Sequence, residues 1–482
     1  MADHPFDHPS DLRFDLAFDL AFDLGRPRTV HIVAIGGAGM SAIARYLHAL
    51  GHRVTGSDQR HSKLLDTLAA EGIPTFVGHR GEQVPADCDA IAISTAVRDT
   101  NPEVVAARER GLPVLSRADA LRVLVATSPR AIAVSGTHGK TTTTGMVTAV
   151  LRAAGLRPSF IAGGIVTDLG TNARHDTGEW IVVEADESDG TFLVLPRDVV
   201  LVTNIEPDHL DRWGTFEALV AGFEEFVSVA PGPRVLCVDT PVSAGVAARL
   251  PSVTYGFDPS ARYHATGYRA RPGGAAFELS VDGAKVATIE LAVRGRHNAV
   301  NATGAAALAL ELGVPVASVV DGLGSFGGMA RRFERRSTVN GVDCYDDYAH
   351  TASEVAATLA LAREGAEHRV IAVFQPHRFT RISRHWPEFA DVFVDADLVV
   401  VTGLDGASED PIPGVSGRLV VKGVLDRHPD TALAYLPEWE ALRDVPWRFA
   451  RPGDLVVTLG CGDITRIHDE WIAEDLARTA RS

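Results

Sequence analysis

Short apolar runs alternate with helix-like segments along most of the chain, and each run is long enough for one buried strand. Parallel strands need a long crossover connection, usually a helix, so this alternation predicts parallel α/β domains. By contrast, residues 262–289 predict antiparallel β structure with a turn at Asp282-Gly283. The other predicted strands cover residues 30–35, 52–56, 90–93, 131–134, 180–183, 199–202, 370–374, 398–401 and 455–459, with one more near Val342.

These strands fall into three groups along the chain. They predict an α/β fold of three domains: an N-terminal Rossmann-like domain, a central P-loop ATPase-like domain whose parallel sheet carries an antiparallel portion, and a C-terminal Rossmann-like domain. The predicted bounds are residues 29–126, 127–328 and 329–482. The length of 482 residues agrees with three domains at about 150 residues each.

The first 28 residues contain a small repeat, Phe-Asp-Leu, at residues 14–16, 18–20 and 22–24. A period of four drifts around a helix, and the segment is short and acidic. We therefore expect a poorly ordered N-terminal extension over residues 1–28, with a partner-docking peptide as the alternative.

Composition narrows the possible partners. The formal net charge of −16 argues against nucleic acid and anionic membranes as partners. No apolar stretch has the length of a membrane span, and the N-terminus lacks the apolar core of a signal peptide. Four widely spaced cysteines, without a Cys-x-x-Cys pair, leave a zinc site unsupported and fit the reducing cytoplasm.

The clearest chemical motif follows the predicted strand 131–134. It reads Ser-Gly-Thr-His-Gly-Lys-Thr-Thr and opens a helix, so backbone N–H groups and one lysine can cradle a triphosphate. It is not a strict Walker A pattern, because Val134 stands where that pattern has its first glycine. The predicted ATP-binding residues here are Gly136, Thr137, His138, Gly139, Lys140, Thr141 and Thr142.

A second glycine-rich turn, residues 36–41, lies between the first strand and its helix. It fits the dinucleotide fingerprint, and Asp58 at the end of the next strand is placed for a ribose hydroxyl. The pattern alone indicates a nucleotide diphosphate. It does not distinguish NAD from a UDP-sugar, and a turn without a ligand stays possible.

Carboxylates follow two further strands, in residues 184–190 and 204–211. Acidic residues at the carboxyl end of a strand beside a phosphate loop are typical Mg²⁺ ligands. His209 in the second run is atypical for Mg²⁺, which prefers oxygen, so chemistry alone suggests a catalytic or structural role for it.

Polar residues also mark the rest of the chain. His297 and Asn298 could meet an adenine, although Asn298 would serve equally as a helix cap. In the third domain, residues 331–334, 346–350 and 375–381 place Arg and His near strand ends, which suits carboxylate and phosphate recognition. A plain basic surface patch is the alternative for either Arg-rich run.

Taken together, the turn 36–41, the loop 136–142, the runs 184–190, 204–211 and 295–298, and the two Arg/His runs resemble the Mur ligase family in the same order. The resemblance covers the chain from about residue 30 into the C-terminal domain. It implies an ATP- and Mg²⁺-dependent ligase of peptidoglycan synthesis. The glycine-rich first turn favours the member that joins L-alanine to UDP-N-acetylmuramate through an acyl phosphate.

The resemblance also implies roles for individual residues. Lys140 and its loop would hold the ATP phosphates, and Thr141, Glu184 and His209 would bind Mg²⁺. Lys140, Glu184, His209 and His350 would form the catalytic set, with His350 orienting the amine or accepting its proton. The remaining implied contacts are Asn298, Arg332 and Asp347 for ATP; Gly36, Gly37, Ala38, Gly39, Met40, Ser41, Asp58, Ser94 and Ser188 for the UDP-sugar; and Tyr348, His350, His377, Arg378 and Arg381 for the amino acid.

The chain departs from the family pattern at two relevant places. Thr351-Ala352-Ser353 replaces the usual run of the alanine-adding enzymes and is closer to the ligase that adds the third residue. Cys461 stands where Ala is common, and we expect only a mild change in packing.

Two rival functions can be tested. An NAD-dependent oxidoreductase would use the turn at 36–41 but leaves the phosphate loop and both acidic runs unexplained. A non-catalytic nucleotide-binding switch would bind ATP without turnover.

Overall fold

The computed structural model describes residues 22–271, 273–366, 368–407 and 409–481. The predicted extension up to residue 21, with its first two Phe-Asp-Leu repeats, lies outside these residues. The third repeat is described. Phe22 is buried in the core of the first domain, and the Arg28 guanidinium lies 5.4 Å from the centre of its ring.

The first domain is a parallel five-stranded sheet in the order β3-β2-β1-β4-β5. Because β1 lies between β2 and β4, the turns that follow these three strands meet at one edge of the sheet. Its strands are β1 (Thr29–Val33), β2 (Arg53–Asp58), β3 (Thr75–Val77), β4 (Ala90–Ile93) and β5 (Val114–Ser116), and its helices are α1 (Ala38–Ala49), α2 (Lys63–Ala70), α3 (Pro102–Glu109) and α4 (Arg117–Val125).

The central domain is a ten-stranded mixed sheet in the order β15-β14-β13-β12-β11-β10-β6-β9-β7-β8. Its strands are β6 (Arg130–Ser135), β7 (Ser159–Val166), β8 (Thr171–Arg174), β9 (Trp180–Glu184), β10 (Val199–Val202), β11 (Arg234–Cys237), β12 (Val253–Gly256), β13 (Tyr263–Arg271), β14 (Gly274–Val281) and β15 (Ala284–Leu291). Its helices are α5 (Lys140–Ala153), α6 (Thr191–Val194), α7 (Leu210–Trp213), α8 (Phe216–Ser228), α9 (Pro241–Arg249), α10 (Arg296–Glu311) and α11 (Val316–Gly324).

The third domain is a six-stranded sheet in the order β16-β17-β21-β18-β19-β20, in which only β16 is antiparallel to its neighbour. Its strands are β16 (Glu334–Val339), β17 (Val342–Asp347), β18 (Val370–Phe374), β19 (Leu398–Thr402), β20 (Leu433–Leu436) and β21 (Leu455–Leu459). Its helices are α12 (Ala352–Gly365), α13 (Phe379–His385), α14 (Arg418–Arg427), α15 (Trp439–Leu442), α16 (Val445–Arg448) and α17 (Ile467–Thr479).

The predicted fold class is confirmed. Strands β1, β6, β9, β10, β18, β19 and β21 are nearly all buried, because helices cover both faces of each parallel sheet. The antiparallel portion is the meander β13-β14-β15, and its second turn is at Asp282-Gly283, where both residues have positive φ. None of the helices in the described part of the chain is long and apolar enough to cross a membrane.

Direct contacts join the first two domains beside the turn at 36–41. The Asn172 side chain in β8 donates to the carbonyl of Ala38 and to the Ser41 hydroxyl, and it accepts a 2.7 Å hydrogen bond from Arg45 of α1. These contacts hold the start of α1 against β8 of the central domain.

Candidate active site

The phosphate loop connects β6 to α5 and is shaped by two glycines with positive φ, Gly136 and Gly139. A side chain at Gly136 would collide with Thr203, and one at Gly139 would come within 2.7 Å of Asn301. The Asn204 side chain fixes the loop from the next strand, accepting from the His138 N–H and donating to its carbonyl, both at 2.9 Å. The loop is therefore held in shape by its neighbours before any ligand binds.

Lys140 is the first residue of α5 and points back across the loop. Its ammonium donates to the carbonyls of Gly136 and Thr137 at 2.7 and 3.1 Å. It also donates to both carboxylate oxygens of Glu187, at 2.9 and 2.8 Å, and Glu187 is 1% exposed. Burial works against the charge on Lys140, but the Glu187 and Asp186 carboxylates outweigh it and raise the lysine pKa.

In the same ion pair, burial disfavours the ionised form of the Glu187 carboxylate. It raises the pKa of Glu187 to about 7, although the Lys140 ammonium opposes this rise. Asp186 behaves in the opposite way, because Lys140 and Arg117 overcome its burial and hold its pKa well below the usual range. The acidic run thus contains one firmly ionised carboxylate and one that is close to its protonation point at neutral pH.

The predicted metal residues lie beside the loop. Thr141 donates a 3.0 Å hydrogen bond to Glu184 at the end of β9, and the N–H of Gly163 donates to the other Glu184 oxygen at 2.6 Å. His209 has a left-handed backbone at the start of α7 and faces the same cavity. Among the described residues, no three His, Cys, Asp or Glu side chains converge tightly enough to hold a metal ion. Glu184 and Thr141 do offer the oxygen donors that Mg²⁺ prefers, so they fit this ion if a phosphate supplies further oxygens.

A cavity of about 470 Å³ joins the phosphate loop to the third domain. Most of the predicted ATP, metal and amino-acid residues line it. They are Thr137, His138, Gly139, Lys140, Thr141, Thr142, Glu184, His209, Asn298, Arg332, Asp347, Tyr348, His350 and Arg381.

Asn298 lies inside the first turn of α10 and does not cap the helix. Its side-chain amide donates to the carbonyl of Arg294 at 2.7 Å, and the N-cap is Gly295. Its neighbour His297 is exposed to the cavity. The protein around the imidazole and, to a smaller extent, the positive charge of Arg332 disfavour its protonated form and lower the pKa of His297 to about 4. The imidazole is therefore neutral, which suits stacking against a nucleobase.

Asp347 and Arg332 bring the third domain to the cavity. The Asp347 carboxylate accepts from the N–H groups of Phe333 and Ala349 at 2.7 and 2.8 Å. Burial raises its pKa to about 6 against the opposing effect of Arg332. The Arg332 guanidinium also lies 5.2 Å from the centre of the Tyr348 ring, and this contact restricts the position of the Arg332 side chain.

Apart from Ser188, the predicted UDP-sugar residues follow β1, β2 and β4 at the carboxyl edge of the first sheet. Asp58 accepts a 3.0 Å hydrogen bond from the Gly36 N–H, so its carboxylate supports the turn directly. Ser41 and Met40 are buried, and the Ser41 hydroxyl donates to the Ala38 carbonyl. The turn's other residues, Gly37, Ala38 and Gly39, begin α1, and Ser94 follows the neighbouring strand β4.

Ser188 belongs to the acidic run 184–190, and one arginine links that run to the first domain. Arg117, at the start of α4, donates to Asp186 at 2.9 Å and to Asp189 at 2.8 Å. A side chain at Gly39 would meet the same guanidinium at 3.4 Å. Arg117 therefore lies between the turn at 36–41 and the run that carries Glu187, a role the sequence did not indicate.

The predicted amino-acid residues divide between two positions. His350, His377 and Arg381 lie together: the two imidazoles have centroids 6.0 Å apart, and an Arg381 nitrogen is 3.4 Å from His377 Nδ1. Arg378 is exposed at the start of α13, with positive φ, and the nearby charge that it affects is Glu409. The structure thus groups Arg381 with the histidines and leaves Arg378 apart.

The neighbours of His350 change the pKa of its imidazole. Its burial lowers the pKa, but hydrogen bonds to Cys461 and Glu354 outweigh this and raise the pKa to about 9. The Glu354 oxygen is 3.1 Å from His350 Nδ1, and this contact keeps the pKa of the carboxyl well below its usual range. Glu354 and Cys461 therefore favour the protonated form of His350, which suits the binding of an anion.

The comparisons with known proteins follow the same division of the chain. Family models described as "Mur ligase family, catalytic domain", "Mur ligase middle domain" and "Mur ligase, glutamate ligase domain" match residues 29–128, 134–309 and 331–462. A UDP-N-acetylmuramate–L-alanine ligase from Brucella anthropi is 45% identical over 448 residues, which are 91% of this chain and 95% of that protein. The chain belongs to the Mur ligase family.

Other members of the Mur ligase family agree with this assignment. A UDP-N-acetylmuramate–L-alanine ligase from Sinorhizobium fredii is 45% identical over 90% of this chain and 95% of its own. The crystal structure of the UDP-N-acetylmuramate–alanine ligase from Thermotoga maritima matches with a TM-score of 0.82 and 28% identity, covering 94% of this chain and all of that one. The predicted family and its three-domain fold are confirmed.

Proposed function

We propose that this Mur ligase joins L-alanine to the carboxylate of UDP-N-acetylmuramate in the cytoplasm, with ATP giving ADP and phosphate. One observation carries the proposal. The cavity that contains Lys140 and Glu184 of the central domain is continuous with His350 and Arg381 of the third domain. If Lys140 binds phosphate and His350 and Arg381 bind the amino-acid carboxylate, both ligands would share one space, as a ligase requires. Two relatives that are each 45% identical to this chain carry this activity in their names.

The first step is transfer of the ATP γ-phosphate to the sugar carboxylate, which makes an acyl phosphate. A carboxylate is a poor electrophile, and phosphorylation supplies a leaving group. Two anions must approach each other, so positive charge is needed between them. Lys140 supplies one such charge, and its contacts with Gly136, Thr137 and Glu187 keep it at the loop. Bound Mg²⁺, held by Thr141, Glu184 and His209, would supply further charge neutralisation on the phosphates.

The second step is attack of the L-alanine amine on the acyl carbon, with loss of phosphate. We assign the Arg381 guanidinium and the His350 imidazole, whose pKa is raised by its neighbours, to the carboxylate of L-alanine. The other role expected for His350, orienting the amine or accepting its proton, stays a prediction. Asn298, His297, Arg332 and Asp347 would hold the nucleotide, because they line the same cavity as the phosphate loop. The acyl phosphate must be kept from water, and the third domain forms that wall of the cavity.

The UDP end is proposed on the first domain. The start of α1 would bind the pyrophosphate through the N–H groups of Ala38, Gly39 and Met40, with Asp58, Ser94 and Ser188 around it. The N–H groups of Gly37 and Ser41 already donate to the carbonyls of Ala34 and Gly37. We also propose that the three domains span residues 29–126, 127–328 and 329–482.

The experiment is an ADP-release assay with each substrate omitted in turn. We expect ADP only when UDP-N-acetylmuramate and L-alanine are both present. Binding of ATP without formation of ADP would favour the non-catalytic nucleotide switch. Binding of a nicotinamide cofactor, measured by titration, would favour the oxidoreductase.

A further inference from the structure

Arg117 is the first residue of α4 and follows β5 at the carboxyl edge of the first sheet. Helix α4 packs against α1, which begins in the turn at 36–41, and against α6, which follows the acidic run 184–190. The Arg117 side chain therefore extends from the first domain into the space between these two segments, where it is 20% exposed. Its guanidinium is always charged and carries five N–H donors in a planar fork, so its three nitrogens can serve different partners.

Two of the three nitrogens hold the acidic run. Nε donates to Asp189 at 3.1 Å, and Nη2 donates to Asp186 at 2.9 Å and to Asp189 at 2.8 Å. Each carboxylate also accepts a backbone N–H from the residue two positions further on. Glu187, the partner of the Lys140 ammonium, lies between these two anchored residues. Arg117 thus supports the Lys140–Glu187 pair from another domain.

The third nitrogen, Nη1, lies beside the start of α1. It is 3.4 Å from the place that a Cβ at Gly39 would take, and in the part of the chain that the structure describes it donates to no acceptor. The first turn of α1 contains no acidic residue, and its N-cap, Gly37, offers no side chain to the helix N–H groups. The N–H donors of Arg117 and of the helix start thus border the same space, which suits an anion with several oxygens, such as a diphosphate.

We propose that Arg117 is a binding and positioning residue that links the two phosphate sites of this ligase. Its Nη1 donates to the diphosphate of the UDP-sugar at the start of α1, and its Nε and Nη2 keep the acidic run in place beside Lys140. The first contact rests on the proposed function, which locates the UDP end at this helix. The second rests on the hydrogen bonds to Asp186 and Asp189.

The position of the guanidinium also affects the two nucleotides together. A bound diphosphate and the acidic run are both negative, and the Arg117 charge between them offsets their repulsion. Without this charge, a diphosphate at α1 adds uncompensated negative potential beside the ATP phosphates, so each nucleotide weakens the binding of the other. Such coupling is reciprocal, so it can be measured through either ligand.

The first test compares UDP with uridine by calorimetric titration of the full-length protein. The parent should bind UDP more tightly than uridine. Arg117→Gln should weaken UDP binding about tenfold or more, the loss typical of one charged hydrogen bond, and leave the Kd of uridine unchanged. An unchanged Kd of uridine also shows that the first domain is folded. Arg108→Gln is the matched control, because that arginine pairs with the exposed Asp99 of the same domain, and it should bind both ligands like the parent.

The second test measures the Kd of MgATP with and without saturating UDP. UDP lacks the carboxylate that receives phosphate, so ATP is not consumed. In the parent, UDP should change the Kd of ATP little, whereas in Arg117→Gln it should raise this Kd about fivefold or more. Arg117→Gln/Asp189→Asn restores the net charge of the cluster. It should recover the Kd of ATP measured without UDP, but it should not recover the preference for UDP over uridine.

The outcomes separate this inference from the proposed function. If the parent binds uridine as tightly as UDP, the proposed diphosphate site is wrong and the role of Arg117 falls with it. If the parent prefers UDP and Arg117→Gln keeps the whole preference, only the role of Arg117 is refuted. Should Arg117→Gln fail to fold, Arg117→Lys provides the same test, because it keeps the charge but cannot donate to both sides at once. A full preference for UDP in Arg117→Lys would then refute the role.

Discussion

Lys140 is predicted to have two separable roles, one in turnover and one in stability. Lys140→Ala removes a positive charge aimed at the transferred phosphate, and we expect kcat to fall by about 10²–10³, the loss typical of one electrostatic stabiliser. UDP-sugar binding should survive, because the turn at 36–41 belongs to another domain. Turnover is read by ADP release and UDP-sugar binding by calorimetry.

The stability effect follows from Glu187, which is 1% exposed and paired with Lys140 at 2.8 Å. Breaking a buried ion pair costs roughly 3–5 kcal/mol when the remaining charge is trapped. Glu187 can escape part of this cost by taking up a proton, since its pKa is about 7 even with the lysine present. In Lys140→Ala the folded protein would then hold one proton that the unfolded chain releases. The variant's free energy of unfolding should therefore fall by about 1.4 kcal/mol per pH unit above pH 7, relative to the parent.

Urea unfolding from pH 6 to pH 9 measures this slope, and Glu187→Gln supplies the matched control. Lys140→Ala/Glu187→Gln should regain most of the stability and lose the extra pH dependence, while ADP release stays low. The reasoning is refuted if Lys140→Ala keeps near-normal turnover. It is also refuted if the single and double variants unfold with the same pH dependence.

Three further predictions concern the metal, the amino acid and the third-domain core. Glu184→Gln should raise the Mg²⁺ concentration for half-maximal ADP release about tenfold or more, since a hard cation loses an anionic ligand; an unchanged requirement would give Glu184 a structural role. Arg381→Lys should raise the KM for L-alanine about 10-fold or more and leave the KM for ATP nearly unchanged, because a charged hydrogen bond is worth about 1.5–3 kcal/mol; a selective rise for ATP would contradict this. Burial lowers the pKa of the fully buried His468 to about 4, so its contribution to stability, on the order of 3 kcal/mol, should be present above pH 6.5 and be lost on acidification towards pH 4. In His468→Gln the free energy of unfolding, measured by urea titration below pH 6.5, should fall less steeply with decreasing pH. An unchanged pH dependence would refute this role of His468.

The sequence predicts most of the long apolar strands, but it misses the interior strands β7, β11 and β12 of the central sheet and several polar strands at sheet edges. Runs such as Val199–Val202 and Val370–Phe374 lie in sheet interiors, where apolar burial alone determines the pattern. β16 reads Glu-Arg-Arg-Ser-Thr-Val and was missed, because it is a sheet-edge strand paired on one side only. β8, Thr-Asn-Ala-Arg, was missed for the same reason. Their positions depend on tertiary pairing, which no local pattern carries.

The same limit applies to the candidate site. The loop at 136–142 is local in sequence, so its glycines, lysine and threonines can be predicted together. The pairing of Lys140 with Glu187 cannot, because four carboxylates stand close together in 184–189 and only the fold selects one. His350 and His377 follow different strands and come together only because β21 pairs with both β17 and β18 in the third sheet.

The central claim is the identity of the amino acid, and one competition experiment tests it most directly. The protein is given ATP, Mg²⁺, UDP-N-acetylmuramate and an equimolar mixture of L-alanine, glycine, L-serine, D-glutamate and diaminopimelate, and the nucleotide products are weighed by mass spectrometry. The account predicts the L-alanine adduct as the main product, with small amounts of the glycine and L-serine adducts, because one methylene is worth only about 1–3 kcal/mol. A main product carrying D-glutamate or diaminopimelate would contradict it, and would mean that Thr351-Ala352-Ser353 marks a different specificity within the family.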